Sequence, residues 1–178
     1  MMPDDTPPNL QPTLVGEALL LRPLVPEDWD AMFAAGSDPL IWVGHPIHDR
    51  WQEPVFRAFF DGGLSSGSAF AIIDRATGAI IGSSRYAHHD PDKSEIEIGW
   101  TFLARSHWGG AANAEMKRLM IDHAFTFVDC VTFQVGETNL RSQGAMRKIG
   151  GVLRDETSDV TLDGITYRHL IFEIRKRR

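Results

Sequence analysis

The sequence predicts an α+β fold: one mixed, mostly antiparallel sheet of about seven strands flanked by about four helices. Three observations carry this expectation. Runs such as Glu95-Ile96-Glu97-Ile98 alternate polar and apolar residues with the period of a half-buried strand. Two pairs of apolar runs are joined by short glycine-containing turns, which makes hairpins and therefore antiparallel pairing. Segments with apolar residues three and four apart are grouped with the strands and do not alternate strictly with them, unlike a parallel α/β chain.

In order along the chain, Ala18 to Leu24 is the first strand, broken by Pro26. Pro26-Glu27-Asp28 starts a helix whose apolar face is Trp29, Met32 and Phe33, up to Gly36. Asp38 to Arg50 mixes prolines, Gly44, Trp42 and two histidines and reads as loop or short helix. A helix follows over Gln52 to Phe60, stopped by Gly62 and Gly63. Ser68–Asp74 and Ala79–Ala87 form a hairpin around Thr77-Gly78, and a turn from His88 to Lys93 leads into the strand Glu95–Leu103. Met116, Leu119, Met120, Ala124 and Phe127 mark one helical face. Val131–Val135 is a strand, Thr138–Ile149 a helix ended by Gly150-Gly151, and Val152–Leu162 with Ile165–Ile174 a hairpin about Asp163-Gly164.

The chain of 178 residues is the size of one domain. Residues 14–175 form that domain, and 1–13, acidic and proline-rich, form a flexible lead-in that is no secretion signal. A net charge of −6 argues against general nucleic-acid binding. The single Cys130 allows no intrachain disulfide and reads as packing, and no apolar run is long enough for a membrane span, so the cytoplasm is the expected location. The edge of the C-terminal hairpin offers a surface for a homodimer.

The chemistry centres on the stretch from Ser94 to Val128, where strand and helix are joined by Trp108-Gly109-Gly110-Ala111-Ala112-Asn113. Two glycines and small residues at a helix start let backbone N–H groups converge without side chains in the way, which makes an anion nest suited to a phosphate. Asn139 and Ser142, three apart at a helix start, can cap backbone donors or contact whatever lies beyond that helix end.

The order of elements and three stretches, LVGEALLLRPLVPEDWDAMF, EIEIGWTFLARSHWGGAANAEMKRLMIDHAF and TNLRSQGAMRKIGGVL, resemble the GNAT superfamily of acetyl-CoA-dependent N-acetyltransferases, within it the ribosomal-protein alanine N-acetyltransferase branch. The resemblance covers Pro12 to Ile174. It implies a GNAT-like sheet and direct transfer of acetyl from acetyl-CoA, with no metal, to a primary amine, on a small molecule or a protein N-terminus. It implies that the turn Trp108, Gly109, Gly110, Ala111, Ala112 and Asn113 holds the coenzyme A pyrophosphate. The family's turn usually reads Gln or Arg, any, any, Gly, any, Gly or Ala, so Trp108, Ala111 and Asn113 depart from it; a positive φ at Ala111 would be strained by its Cβ. It further implies that Thr101, Phe102 and Leu103 offer backbone groups to the pantetheine amides and the oxyanion, that Asn139 contacts the pantetheine arm, and that Ser142 protonates the leaving thiolate.

Transfer to an amine also needs a base. Glu97, pointing away from Ile96 and Ile98, is the first candidate and Glu95 the second; both also read as carboxylates on a solvated face, and His88 is an alternative base. Arg141 and Arg105 are placed to pair with coenzyme phosphates, and His107 adjoins the nest. Tyr86 and Trp100 read either as core or as acceptor-pocket walls. Two other functions compete: a non-catalytic acyl-CoA-binding module, suggested by the altered glycine pattern, and a metal-dependent hydrolase using His45, His48, His88 and His89.

Overall fold

Eight strands form one sheet in the order β1-β2-β3-β4-β5-β6-β8-β7 in the computed structural model, which describes residues 6–178. They are β1 (Leu14–Val15), β2 (Leu19–Pro23), β3 (Ala69–Asp74), β4 (Ile80–Asp90), β5 (Glu95–Leu103), β6 (Cys130–Gly136), β7 (Val152–Leu162) and β8 (Ile165–Arg175). Every neighbouring pair is antiparallel except β5 and β6, which run parallel. The strand beyond the expected seven is β1; its two residues pair with Leu21 and Leu20 and are too few for an alternation to show.

Four helices cover the two faces: α1 (Trp29–Gly36), α2 (Glu53–Ser66), α3 (Ala112–Ala124) and α4 (Leu140–Lys148). Strand alternation sorts the side chains between them. Ile96, Ile98, Val131 and Phe133 point to the face where α3 contributes Met116, Met120 and Ala124 and α4 contributes Met146. Ala69, Ala71 and Phe102 point to the other face and meet Met32, Phe56 and Phe60 from α1 and α2. Each of the isoleucine, valine, phenylalanine and methionine side chains, removed from water, stabilises the fold by about 1.5–3 kcal/mol before entropy is counted, and each alanine methyl by less.

Three expectations from sequence need correction. Helix α2 does not stop at Gly62 and Gly63 but runs to Ser66 and is capped by Gly67 at φ +65°. Gly63 serves packing: a Cβ there would lie 3.1 Å from a Leu24 methyl. The turn expected from His88 begins later, because β4 continues through His88 to Asp90 around a bulge. Part of the expected lead-in is bound to the body: Gln11 Nε2 donates to the Ala69 carbonyl at 2.8 Å, and Leu10 packs on the α3-side core. Residues 1–5 of that segment lie outside the described residues. No helix among the described residues is long and apolar enough to cross a membrane.

Candidate active site

The parallel pairing of β5 and β6 is short. It runs from Glu95 opposite Cys130 to Glu97 opposite Thr132 and then ends, while β4 keeps its hold on β5 and β8 on β6. Between the diverging C-terminal halves lies a cleft of about 650 Å³, walled by Thr101, Phe102 and Leu103 on one side and Phe133 and Val135 on the other. The Ala104 N–H donates to Ile81 O on β4 at 2.7 Å. Since antiparallel ladders alternate, Phe102 also turns its backbone to β4, opposite Ser83, whereas Thr101 and Leu103 turn theirs into the cleft. Phe102 is therefore no oxyanion donor; its ring belongs to the α1/α2-side core.

At the mouth of the cleft, Trp108 to Ala111 carries the chain from β5 into α3. Gly109 has φ +72°, a conformation that strains any side-chain-bearing residue. Ala111 has φ −79° and ψ −11° and sits at the N-cap of α3. The strain expected at Ala111 is thus absent, because the left-handed residue of this turn is Gly109, two positions earlier. Trp108, Gly109, Gly110 and Asn113 line the cleft, whereas Ala111 and Ala112 stand off its wall, Ala112 packing on the core. The free N–H groups of the first turn of α3 and the positive end of its dipole are at the same place.

Helix α4 closes the opposite lip. Asn139 Oδ1 accepts the Ser142 N–H at 3.2 Å, so Asn139 caps the helix as well as lining the cleft. Ser142 lines it too. The Arg141 guanidinium lies 3.6 Å from the centroid of the Trp108 ring, joining α4 to the nest across the opening. Trp108 is fixed in turn by its indole N–H, which donates to Leu103 O at 2.9 Å.

On the α1/α2 side, two bulges flank Glu97. Opposite β4, strand β5 gains a residue between Gly99 and Phe102, and β4 gains one between Ala87 and Asp90. Trp100 and His88, at these irregularities, both have positive φ, 49° and 51°. The bulges aim both side chains at one spot: their rings lie 6.1 Å apart, and His88 Nδ1 is 2.5 Å from Glu97 Oε2. Glu97 is buried and also accepts from Gln134 Nε2 at 3.3 Å. The His88 ring is otherwise exposed. Glu95 is otherwise engaged, bonded at 2.9 Å to Arg154, which also pairs with Glu156 and Glu173.

Several sequence candidates are placed elsewhere. Arg105 is paired with Asp38, and His107 Nε2 lies 3.0 Å from Asp74, so neither is a free phosphate partner. Tyr86 is core: it is buried, its hydroxyl donates to Met120 O at 2.5 Å, and burial pushes its pKa up. Trp100, unlike Tyr86, lines the cleft. Of the histidines drawn as metal ligands, His88 turns to Glu97 and His89 to the Phe127 ring. Burial, next to Arg50 and His169, drives His45 down to about 3.

Sequence reasoning missed Lys117. It is buried on α3 yet lines the cleft, its Nζ 3.3 Å from Thr101 Oγ1 and 4.9 Å from the centroid of the Phe133 ring. Burial lowers its pKa to about 7. The signal was present: Lys117 stands three before Met120 and four before Ile121, inside the apolar stripe.

The model of the acetyltransferase (GNAT) domain family matches residues 18–152. No curated protein matches. Solved structures do. A GCN5-related N-acetyltransferase from Brucella melitensis is 21% identical with a TM-score of 0.79, over 93% of this chain and 79% of that one. An acetyltransferase from Agrobacterium tumefaciens is 26% identical with a TM-score of 0.69, over 93% and 95%. RimJ of Mycobacterium smegmatis, in complex with CoA-disulfide, is 19% identical with a TM-score of 0.67, over 88% and 81%. A strand fork above a glycine turn, together with a family match across most of the chain, leads to one conclusion: the protein belongs to the GNAT acetyltransferase family, whose acetyl donor is acetyl-CoA.

Proposed function

We propose that this chain is an N-acetyltransferase that moves acetyl from acetyl-CoA directly to a primary amine. The observation that carries the reading is the fork of β5 and β6, which leaves the backbone of Thr101 and Leu103 unpaired by β6 along a cleft lined by residues from both faces of the sheet. An extended pantetheine arm can complete that strand edge, with its pyrophosphate on the Gly109-Gly110 turn and Arg141 beside it. The residues fit the cosubstrate because the turn adopts its left-handed residue at a glycine and nothing obstructs Gly109 or Gly110 within 4 Å of an added Cβ.

The acceptor approaches from the α1/α2 side. His88, held by Glu97 through Nδ1, takes the amine proton at Nε2. The new C–N bond forms as the C–S bond breaks, the Thr101 N–H faces the acetyl oxygen, and the Ser142 hydroxyl gives its proton to the departing thiolate and regains one from water as His88 releases the amine proton to water, so that no net proton is gained or lost. A second copy would pair on the free edge of β7, where Val152 and Leu153 are exposed.

The test supplies acetyl-CoA with matched acceptors that differ only in amine against hydroxyl and follows the products by mass spectrometry. Amines acetylated and alcohols untouched is the expected result. Acetyl-CoA bound tightly with no amine consumed would instead identify a non-catalytic acyl-CoA-binding module.

A further inference from the structure

Three buried side-chain polar atoms lack a hydrogen-bond partner among the described residues: Nε of Arg50, Nε of Arg85 and Nδ1 of His169. All three belong to one neighbourhood on the acceptor side. Arg50 is only 7% exposed, and its guanidinium lies 5.2 Å from the Trp42 ring centroid and 4.7 Å from that of Phe59. The Arg85 guanidinium lies 4.0 Å from the Trp100 ring centroid. Trp42, Trp100 and His169 line the cleft. Neither arginine takes part in an ion pair among the described residues, although the chain carries 24 acidic residues.

Aromatic faces hold a guanidinium in place without satisfying its N–H groups. A buried donor left unpaired is costly, and a buried cation more so, unless a ligand brings the acceptor and the charge. Arg50 and Arg85 are near enough to repel, which depresses the pKa of Arg50 after burial has done so. Asp49 acts on Arg50 and Glu97 on Arg85 through space, but no carboxylate among the described residues is bonded to either guanidinium, and two like charges kept close in this way match an anion that arrives from outside. Its position relative to the chemistry is fixed by the sheet. Arg85 pairs with Gly99, and Glu97 Oε1 lies 3.2 Å from where a Cβ on Gly99 would be, so Arg85 adjoins the Glu97–His88 pair, with Arg50 beyond it near enough to repel it.

We propose that the acceptor is a primary amine that also bears a carboxylate, gripped by Arg85 and Arg50 while its nitrogen lies at His88. A carboxylate fits the planar fork of each guanidinium, and the nest at the other end of the cleft is left to the coenzyme phosphates. This rests on the N-acetyltransferase reading. The carboxylate can belong to a free amino acid or to an acidic side chain next to a peptide N-terminus.

Product binding tests it without turnover. The full chain, saturated with CoA, is titrated by calorimetry with N-acetylalanine against N-acetylalaninamide, and with N-acetyl-Ala-Glu-amide against N-acetyl-Ala-Gln-amide. At least one acid should bind roughly tenfold or more tightly than its amide; which pair shows it identifies the source. Arg50→Gln and Arg85→Gln should each remove most of the preference and leave CoA affinity within about twofold, while Arg85→Lys keeps part of it. Equal affinities within both pairs, no binding of any probe, or a preference that survives both Gln variants overturns the proposal. Failure to bind CoA would count against the acetyltransferase reading alone, and the same titrations of the CoA-free chain would then decide the carboxylate site.

Discussion

Replacing Lys117 with methionine should stabilise the protein at low pH and lose that advantage at high pH. The lysine is buried among Thr101, Phe133 and the apolar face of α3, with no carboxylate bonded to it, and burial moves its pKa from 10.5 to about 7. That difference corresponds to about 5 kcal/mol when the folded chain must carry the charge. The pKa is lowered in the folded state, so the penalty is complete below pH 7, where folded and unfolded chains are both protonated. Between 7 and 10.5 only the unfolded chain retains the proton, and parent stability rises by up to about 1.4 kcal/mol per pH unit from this group. Methionine keeps most of the volume and the contact with Phe133. Water entry and relaxation reduce the penalty, leaving Lys117→Met roughly 3 kcal/mol more stable than the parent at pH 6, with the gap nearly closed by pH 10. Urea unfolding of both proteins at pH 6, 8 and 10 measures it. A gap independent of pH, or a variant less stable at pH 6, would refute the reasoning.

Other substitutions probe the site more locally. Ala111→Gly should leave acetyl-CoA affinity unchanged and cost up to about 1 kcal/mol of stability, since Ala111 already has a right-handed backbone; calorimetry and denaturation check both. Gly109→Ala should cost about 1 kcal/mol or more from strain at φ +72° and weaken acetyl-CoA several-fold, whereas Gly110→Ala should be tolerated in stability. Asn139→Ala removes the α4 cap, for a loss of about 1 kcal/mol in thermal or chemical unfolding together with weaker acetyl-CoA binding. Steady-state kinetics of Glu97→Gln and His88→Ala should show kcat reduced about a hundredfold or more with the KM for acetyl-CoA little changed; a combined variant no worse than either single one would show that the two residues act as a pair.

Much of this fold is written locally. Alternation marks β5, the Asp163-Gly164 pair marks the last hairpin, and the spacing of Met116, Met120 and Ala124 marks α3. What is not local is not legible. Gly62 and Gly63 look like a helix stop, yet α2 continues because Gly63 lets it approach Leu24, a contact set by a strand far away in sequence. The bulges at His88 and Trp100 are properties of strand register and leave no composition signal. The glycine turn could be found from sequence, but which residue takes the left-handed conformation could not, and the departure at Ala111 looked more damaging than it is. The fork of β5 and β6 lies where pairing between two strands far apart in sequence ends, while β8 goes on pairing with β6, and no local stretch records that. Lys117 was readable as a charge in an apolar stripe; that Arg50 and Arg85 lack partners depends on every side chain around them.

The central claim is that acetyl-CoA lies in the β5/β6 fork with its phosphates on the glycine turn. Amide hydrogen exchange of the protein with and without saturating acetyl-CoA tests it most directly. Protection gained at Thr101 and Leu103, at Gly109 to Asn113 and at the start of α4, with β1 to β3 unchanged, is the predicted result. Unchanged exchange at Thr101 and Leu103 while the ligand is bound, or protection concentrated on another surface, would contradict the account.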